Sequence, residues 1–167
     1  MNKTKINICR PGFNASCALC CGSHNFSMPM EKLSIVLKQR NYQNISQRKK
    51  LQPGFLKDGM YCEFIAVNES NNLIGCMAYS DSTMFSSAHS LFFEKTCKTF
   101  YCKAAEILSE KEILFAAELA RDWYYYPLLI NEVNHLRKTM KLYQTPKQVE
   151  ADCFDKIKKD LLGLMYK

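Results

Sequence analysis

No apolar run in this 167-residue sequence approaches the length of a membrane span, about 18 residues. The start, Met1-Asn-Lys-Thr-Lys-Ile-Asn-Ile-Cys9, carries positive charge but no apolar stretch of leader length. A cytoplasmic chain that crosses no bilayer is expected. Glycine and proline are scarce, 6 and 5 residues, which excludes collagen-like, mucin-like and fully disordered chains. The P-loop, G-x-G-x-x-G, H-E-x-x-H and G-x-S-x-G are all absent. Nucleotide-driven, Rossmann and hydrolase chemistries therefore lose their usual signatures. The C-x3-C-x2-C run of radical S-adenosylmethionine enzymes is missing as well.

What is present is globular. The chain is 47% hydrophobic and 23% charged, and its length suits one domain with a real core. The net charge is +7, from 23 Lys and Arg against 16 Asp and Glu. Four metal-bound thiolates would bring that to +3 before the metal is counted. The basic residues are dispersed, and the tightest run, Arg48-Lys49-Lys50, reads as a solvated loop. Nucleic acid is not the expected partner.

The nine cysteines are grouped. Cys9, Cys17, Cys20 and Cys21 fall within thirteen residues, Cys97 and Cys102 form a second close set, and Cys62 and Cys76 flank an expected hairpin. In a reducing compartment such grouping points to metal or redox chemistry rather than to structural disulfides. Cys17-Ala-Leu-Cys20 is a C-x-x-C step, which lets two soft thiolates reach one ion from a tight turn. Gly22 supplies the backbone freedom such a turn needs. Adjacent Cys20 and Cys21 point in different directions, so either one ligates while the other packs, or they serve different metals.

The series Cys9-x7-Cys17-x2-Cys20-Cys21, Cys62-Glu-Phe-Ile65, Ile74-Gly-Cys76-Met-Ala-Tyr79 and Cys97-Lys-Thr-Phe-Tyr-Cys102 resembles the YkgJ family. Its members are zinc- or iron-chelating proteins named for a C-x-x-C-x-x-C-C motif. The cysteine-rich domain of flagellin lysine methylases, linked with an iron–sulfur cluster, looks similar. The resemblance covers roughly residues 9–102 and implies metal ligation by Cys17, Cys20, Cys21, Cys62, Cys76, Cys97 and Cys102. Cys9 joins them at a departure from the motif, with seven intervening residues where the family has two. Lys95-Thr96 stands where the family commonly has Arg-Pro. The implied cofactor is an iron–sulfur cluster, four-iron before other kinds, or Zn2+. The implied function is that of a metal-binding accessory or interaction protein. The alternative is an iron–sulfur enzyme of protein modification or redox chemistry.

Along the chain, Ser27 caps an expected helix that runs to about Arg40, with Met30, Leu33, Val36 and Leu37 on one face. Residues 41–59 read as polar connection. Strands are expected at Tyr61–Val67 and Leu73–Tyr79, with turn residues 68–72 between them. Ser86 to His89 can start a short helix. Beyond Cys102 helical periodicity takes over. Ser109-Glu-Lys-Glu112 has the form of a capping box, opening a helix to about Tyr125 that Pro127 interrupts or kinks. Leu129, Val133, Leu136 and Met140 form the next stripe. Thr145-Pro-Lys-Gln148 reads as the cap of a last helix carrying Val149, Cys153, Ile157, Leu161 and Leu164. Cys153 is thus expected to be a core thiol.

Three side-chain groups remain. His24 is a loop imidazole beside the cysteines, suited to ligation or to supporting a ligand. His89 is a weaker candidate, and His135 reads as structural or exposed. Glu118, Arg121 and Asp122 precede Trp123-Tyr124-Tyr125-Tyr126. A solvated charged face beside a packed aromatic one is the expected arrangement, with a protein interface as the alternative.

The expected fold is therefore α+β: a small metal-bound cysteine unit with a β-hairpin over 1–102, and a helical segment over 103–167 packed on it as one domain. The alternative is that the helices form an appendage; on either arrangement they are the expected docking surface for a protein partner.

Overall fold

The computed structural model describes residues 6–25, 31–37, 62, 64–68, 73–76, 93–97 and 99–165. These are mostly helical, with two four-residue strands as the strand content among the described residues. The chain divides into two compact units. The first comprises Met1–Cys17, Asn71–Leu73 and Lys103–Lys167, and the second Ala18–Ser70 and Ile74–Cys102. Residues 1–17 thus fall with the helical segment rather than with the rest of the cysteine-bearing sequence. A buried long-range bond lies within this unit: the Tyr126 hydroxyl donates to the Ile8 carbonyl at 2.7 Å.

In the second unit, α1 covers residues 31–37 and buries Leu33 and Leu37. The remainder of the helix expected up to Arg40 lies outside the described residues. Strand β1 (Ile65–Asn68) pairs with β2 (Leu73–Cys76), which enters this unit at Ile74. β1 starts later than the sequence suggested, and Cys62 stands before it. Ile65, Val67 and Ile74 are buried, each stabilising the fold by about 1.5–3 kcal/mol through lost apolar exposure. The connecting residues 69–72, the expected helix start at 86–89 and the far end of the second strand lie outside the described residues.

In the first unit, α2 (Lys103–Ile107) leads to α3 (Glu110–Ala120), α4 (Tyr125–Asn131), α5 (Val133–Leu142) and α6 (Ala151–Met165). Helix α3 begins as expected. Glu112 N–H donates to Ser109 Oγ at 3.3 Å, and Ser109 N–H donates to Glu112 Oε2 at 2.7 Å. Each side chain satisfies a backbone donor that the first helical turn leaves unpaired. The same carboxylate accepts from Arg137 Nε at 2.6 Å, while Arg137 Nη2 donates to the Ile107 carbonyl at 3.1 Å. One guanidinium thereby ties α5 to the end of α2 and the start of α3.

The expected helix to Tyr125 stops at Ala120. Arg121 takes the left-handed conformation, φ 51°, with its N–H on the Ala117 carbonyl at 2.9 Å and its Nε on the Glu118 carbonyl at 3.0 Å. Asp122 then accepts from the N–H groups of Tyr124 and Tyr125 at 2.8 and 2.6 Å. Pro127 does not kink a continuing helix. It lies in the first turn of α4, where a missing N–H costs no helical bond. The C-terminal cap also shifts. Gln148 Oε1 accepts from Thr145 N–H at 3.0 Å and closes a short 3-10 turn, Pro146–Gln148, and α6 begins only at Ala151.

Trp123, Tyr124 and Tyr126 are fully buried with Ile113, Ala117, Leu129, Leu136 and Leu161. Three of the four aromatics of the run are therefore core, and Tyr125 is half-buried. Lys158 covers the exposed side of this region, with its ammonium 5.5 Å from the Tyr125 ring centre and 4.5 Å from that of Phe154. Among the described residues no helix is long and apolar enough to cross a membrane.

Candidate functional site

The sequence marks eight cysteines as ligands, and the boundary between the two units falls inside the C-x-x-C step, after Cys17. In the first unit, Cys17 N–H donates to the Cys9 carbonyl at 3.0 Å. The seven residues between them form a local loop. Gly12, Phe13 and Asn14 all have positive φ, at 102°, 54° and 58°, and Ala15 N–H closes the turn on the Gly12 carbonyl at 2.9 Å. The wide spacing of Cys9 and Cys17 is therefore absorbed by a left-handed turn that returns the chain beside its start. Phe13, held there in a conformation that bulky residues rarely adopt, is exposed.

The second unit carries Cys20, Cys21, Cys62, Cys76, Cys97 and Cys102. A 3-10 turn, Leu19–Cys21, presents the adjacent pair. Gly22 ends it at φ 83°, with its N–H on the Leu19 carbonyl at 2.9 Å. That left-handed position is where a side chain would be strained, which explains the glycine directly after Cys21. The turn is then fastened to the strand region: Cys62 N–H donates to the Cys21 carbonyl at 2.7 Å, and Ile65 N–H to the Cys62 carbonyl at 3.2 Å. Cys76 ends β2, whose pairing with β1 holds it in the same unit. Cys97 ends a π-helical turn, Phe93–Cys97, in which Glu94, Lys95, Thr96 and Cys97 are exposed.

The electrostatics tie five of these thiols together. The Cys21 thiol donates to the Cys20 sulfur, N–H groups of Cys20 and Cys21 add to that, and together they outweigh burial and bring Cys20 down to about 7. The same sulfur–sulfur bond, then burial, then the charges of Cys20, Cys62 and Cys76, push Cys21 strongly upward. Burial, with the charges of Cys76 and Cys20, pushes Cys97 upward. Like charges held close together raise one another's pKa. Among the described residues, however, no three His, Cys, Asp or Glu side chains stand in metal-holding geometry. The thiols share a unit and feel one another, but they do not form a closed cage.

His24, a candidate from the sequence, has a partner that the sequence does not mark. His24 is 8% exposed, and its Nδ1 lies 2.8 Å from Oγ of Ser23, which is fully buried. The serine stands one residue after the left-handed Gly22, and that turn is the only local sign of it. A ring fixed through one nitrogen is the arrangement by which proteins orient a histidine near a metal. His89 lies outside the described residues. His135 is half-buried on α5, where its carbonyl accepts from Thr139 Oγ1 at 3.0 Å. Cys153 is half-buried rather than fully in the core, and accepts from the Tyr143 hydroxyl at 3.3 Å. No protein-family model, curated protein or solved structure matches the chain.

Proposed function

We propose that this chain is a metal-binding cysteine-cluster protein of the YkgJ kind, acting as an accessory or interaction protein in the cytoplasm. The observation that carries the reading is the 2.7 Å bond from Cys62 N–H to the Cys21 carbonyl. It joins two cysteine segments about forty residues apart, within a unit where the charges of Cys20, Cys62 and Cys76 act on Cys21.

The donor set fits the chemistry of a soft ion. Thiolates suit zinc and iron–sulfur iron alike, and Cys20 is poised to ionise near neutral pH. Cys20, Cys21, Cys62, Cys76 and Cys97 supply the first candidates. Cys102 follows them in the same unit, and Cys9 and Cys17 belong to the first unit. Zn2+ would supply folding energy; an iron–sulfur cluster, the four-iron kind first, would add a one-electron couple. The protein's own part is to hold the thiols in one unit through the 3-10 turn, the paired strands and the backbone bond between Cys21 and Cys62. In this reading β1 and β2 close as a hairpin that completes the metal-bound unit.

A protein partner would meet the helical unit. Among the described residues, the large apolar side chains exposed on that unit are Phe13, Ile107, Leu142 and Leu164, which are the contacts this reading assigns.

The test is the Cys21→Ser, Cys62→Ser double variant. It should lose bound metal and part of its far-ultraviolet circular dichroism, because binding and folding of such a unit are one process. A fully folded double variant with the wild-type metal content would overturn the proposal.

A further inference from the structure

Cys9 and Cys17 belong to the first unit, whereas Cys20, Cys21, Cys62, Cys76, Cys97 and Cys102 belong to the second. The chain reverses between Cys9 and Cys17. Gly12 and Ala15 form an antiparallel bridge, and Gly12, Phe13 and Asn14, all with positive φ, make the turn. Cys17 N–H then donates to the Cys9 carbonyl at 3.0 Å, so the two cysteines stand opposite each other across the reversal. That bond bounds their separation. The path from one Cα through the carbonyl, across 3.0 Å to the amide nitrogen and on to the other Cα cannot exceed about 6.8 Å. Disulfides join Cα atoms about 4.4–6.8 Å apart. Residues bonded in this way on antiparallel arms also project their side chains to the same side.

Both arms are held. On the Cys9 side, the Ile8 carbonyl accepts from the Tyr126 hydroxyl at 2.7 Å, and Cys9 N–H donates to Asn7 Oδ1 at 2.9 Å. On the Cys17 side, Ala15, Ser16 and Ala18 are buried. The loop is therefore closed before any sulfur–sulfur bond forms, and the chain ordering that a cross-link requires is already in place. Cys9 is exposed and Cys17 is half-buried, and neither is in a disulfide in this structure. A small oxidant in solution meets Cys9 first.

We propose that Cys9 and Cys17 form a reversible, peroxide-sensitive disulfide, a redox modification site separate from the five thiols that are the first metal candidates. This goes beyond the metal-binding reading and does not rest on it. The Cys9 thiolate attacks hydrogen peroxide; the O–O bond breaks, and the departing hydroxide takes up the proton that the thiol had released. Cys9 is left as a sulfenic acid. The Cys17 sulfur then attacks the Cys9 sulfur; the S–S bond forms, the S–O bond breaks, and the hydroxyl leaves as water with the Cys17 proton. Two thiols give up two electrons, and one peroxide becomes two waters. A dithiol reductant reverses the bond by thiol–disulfide exchange. Oxidation closes a covalent ring around Gly12, Phe13 and Asn14 and withdraws both sulfurs from any ion.

The experiment treats the full chain, reduced and purified without oxygen, with a small excess of hydrogen peroxide. Remaining thiols are blocked with N-ethylmaleimide. Chymotrypsin, cutting after Phe13 and Leu19, separates the peptides of Cys9, Cys17 and the Cys20–Cys21 pair, and mass spectrometry reads the links between them. The Cys9–Cys17 link is expected first, forming at least tenfold faster than any other, and dithiothreitol should restore both thiols. Cys17→Ser should stop at the Cys9 sulfenic acid, trapped by dimedone, with unchanged circular dichroism. A first link from Cys9 or Cys17 to any other cysteine would overturn the inference. So would two intact thiols at these positions after the other cysteines have been oxidised. Metal content is measured on the same sample: the Cys9–Cys17 link in a folded chain that holds no metal would support this inference and overturn the metal-binding reading alone.

Discussion

Cys62 donates its main-chain N–H to the carbonyl of Cys21 at 2.7 Å, fastening the turn that carries two thiols to the segment that leads into β1. A backbone bond of this kind positions both residues whatever their side chains hold. It predicts that the second unit depends on Cys62 as a place in the chain, and on its sulfur only through what the sulfur binds. The variant Cys153→Ser, half-buried in the other unit beside the Tyr143 hydroxyl, should leave metal content unchanged; Cys62→Ser should abolish it. Metal analysis of the two purified variants checks the contrast.

The thiol pair makes a pH prediction for metal-free, reduced protein. Cys20 is lowered to about 7 first by the hydrogen bond from Cys21. A lowered acid is ionised above its pKa, so alkylation of Cys20 should rise through a midpoint near pH 7. Cys21→Ala removes the donor and should move that midpoint up toward the ordinary thiol value of about 8.5. Residue-resolved mass spectrometry after short iodoacetamide pulses reads both midpoints.

Ser109→Ala should cost about 1 kcal/mol of stability, the usual worth of an N-cap side chain, measured as a fall in the urea midpoint. The effect has a pH signature through Glu112. Burial pushes that carboxyl up, but the bonds from Arg137 and Ser109 prevail and hold it below the ordinary range. A lowered acid adds stability above its unfolded pKa, about 4.3, and the gain is lost as pH falls through the lower folded value. Arg137→Gln should therefore flatten the stability profile below about pH 4.3.

Tyr126→Phe should destabilise the first unit by about 1 kcal/mol, since it leaves the buried Ile8 carbonyl without the hydroxyl that donates to it. It should also speed proteolysis within residues 6–17 more than within α5. Equal cutting of the two segments would mean that Tyr126 does not anchor the N-terminal segment.

What the sequence made legible was local. The Ser109 and Glu112 capping box was readable because both of its bonds lie within one turn. The stripes through Ile113, Leu129, Leu136, Ile157 and Leu161 were readable because helical periodicity follows burial, and all five are buried, whereas Val133 and Met140 of the same stripes are half-buried and Leu164 is exposed. Where elements stop was harder to see. Arginine at a left-handed position carries no glycine to announce it, so the end of α3 at Ala120 is not legible, and Pro127, expected to interrupt or kink that helix, stands in the first turn of the next one. The bond from Tyr126 to Ile8 within the helical unit spans 118 positions, which no local pattern encodes. At the site, the grouping of cysteines in sequence was plain. The tie between Cys21 and Cys62 and the Ser23 support for His24 needed three dimensions.

The most direct measurement is metal and acid-labile sulfide content, with the visible spectrum, on protein purified without oxygen. A stoichiometric metal is expected: about four iron and four sulfide per chain with broad visible absorption for a four-iron cluster, or one zinc per site with neither sulfide nor colour. A folded, colourless chain holding neither iron nor zinc, with all nine cysteines open to alkylation, would contradict it.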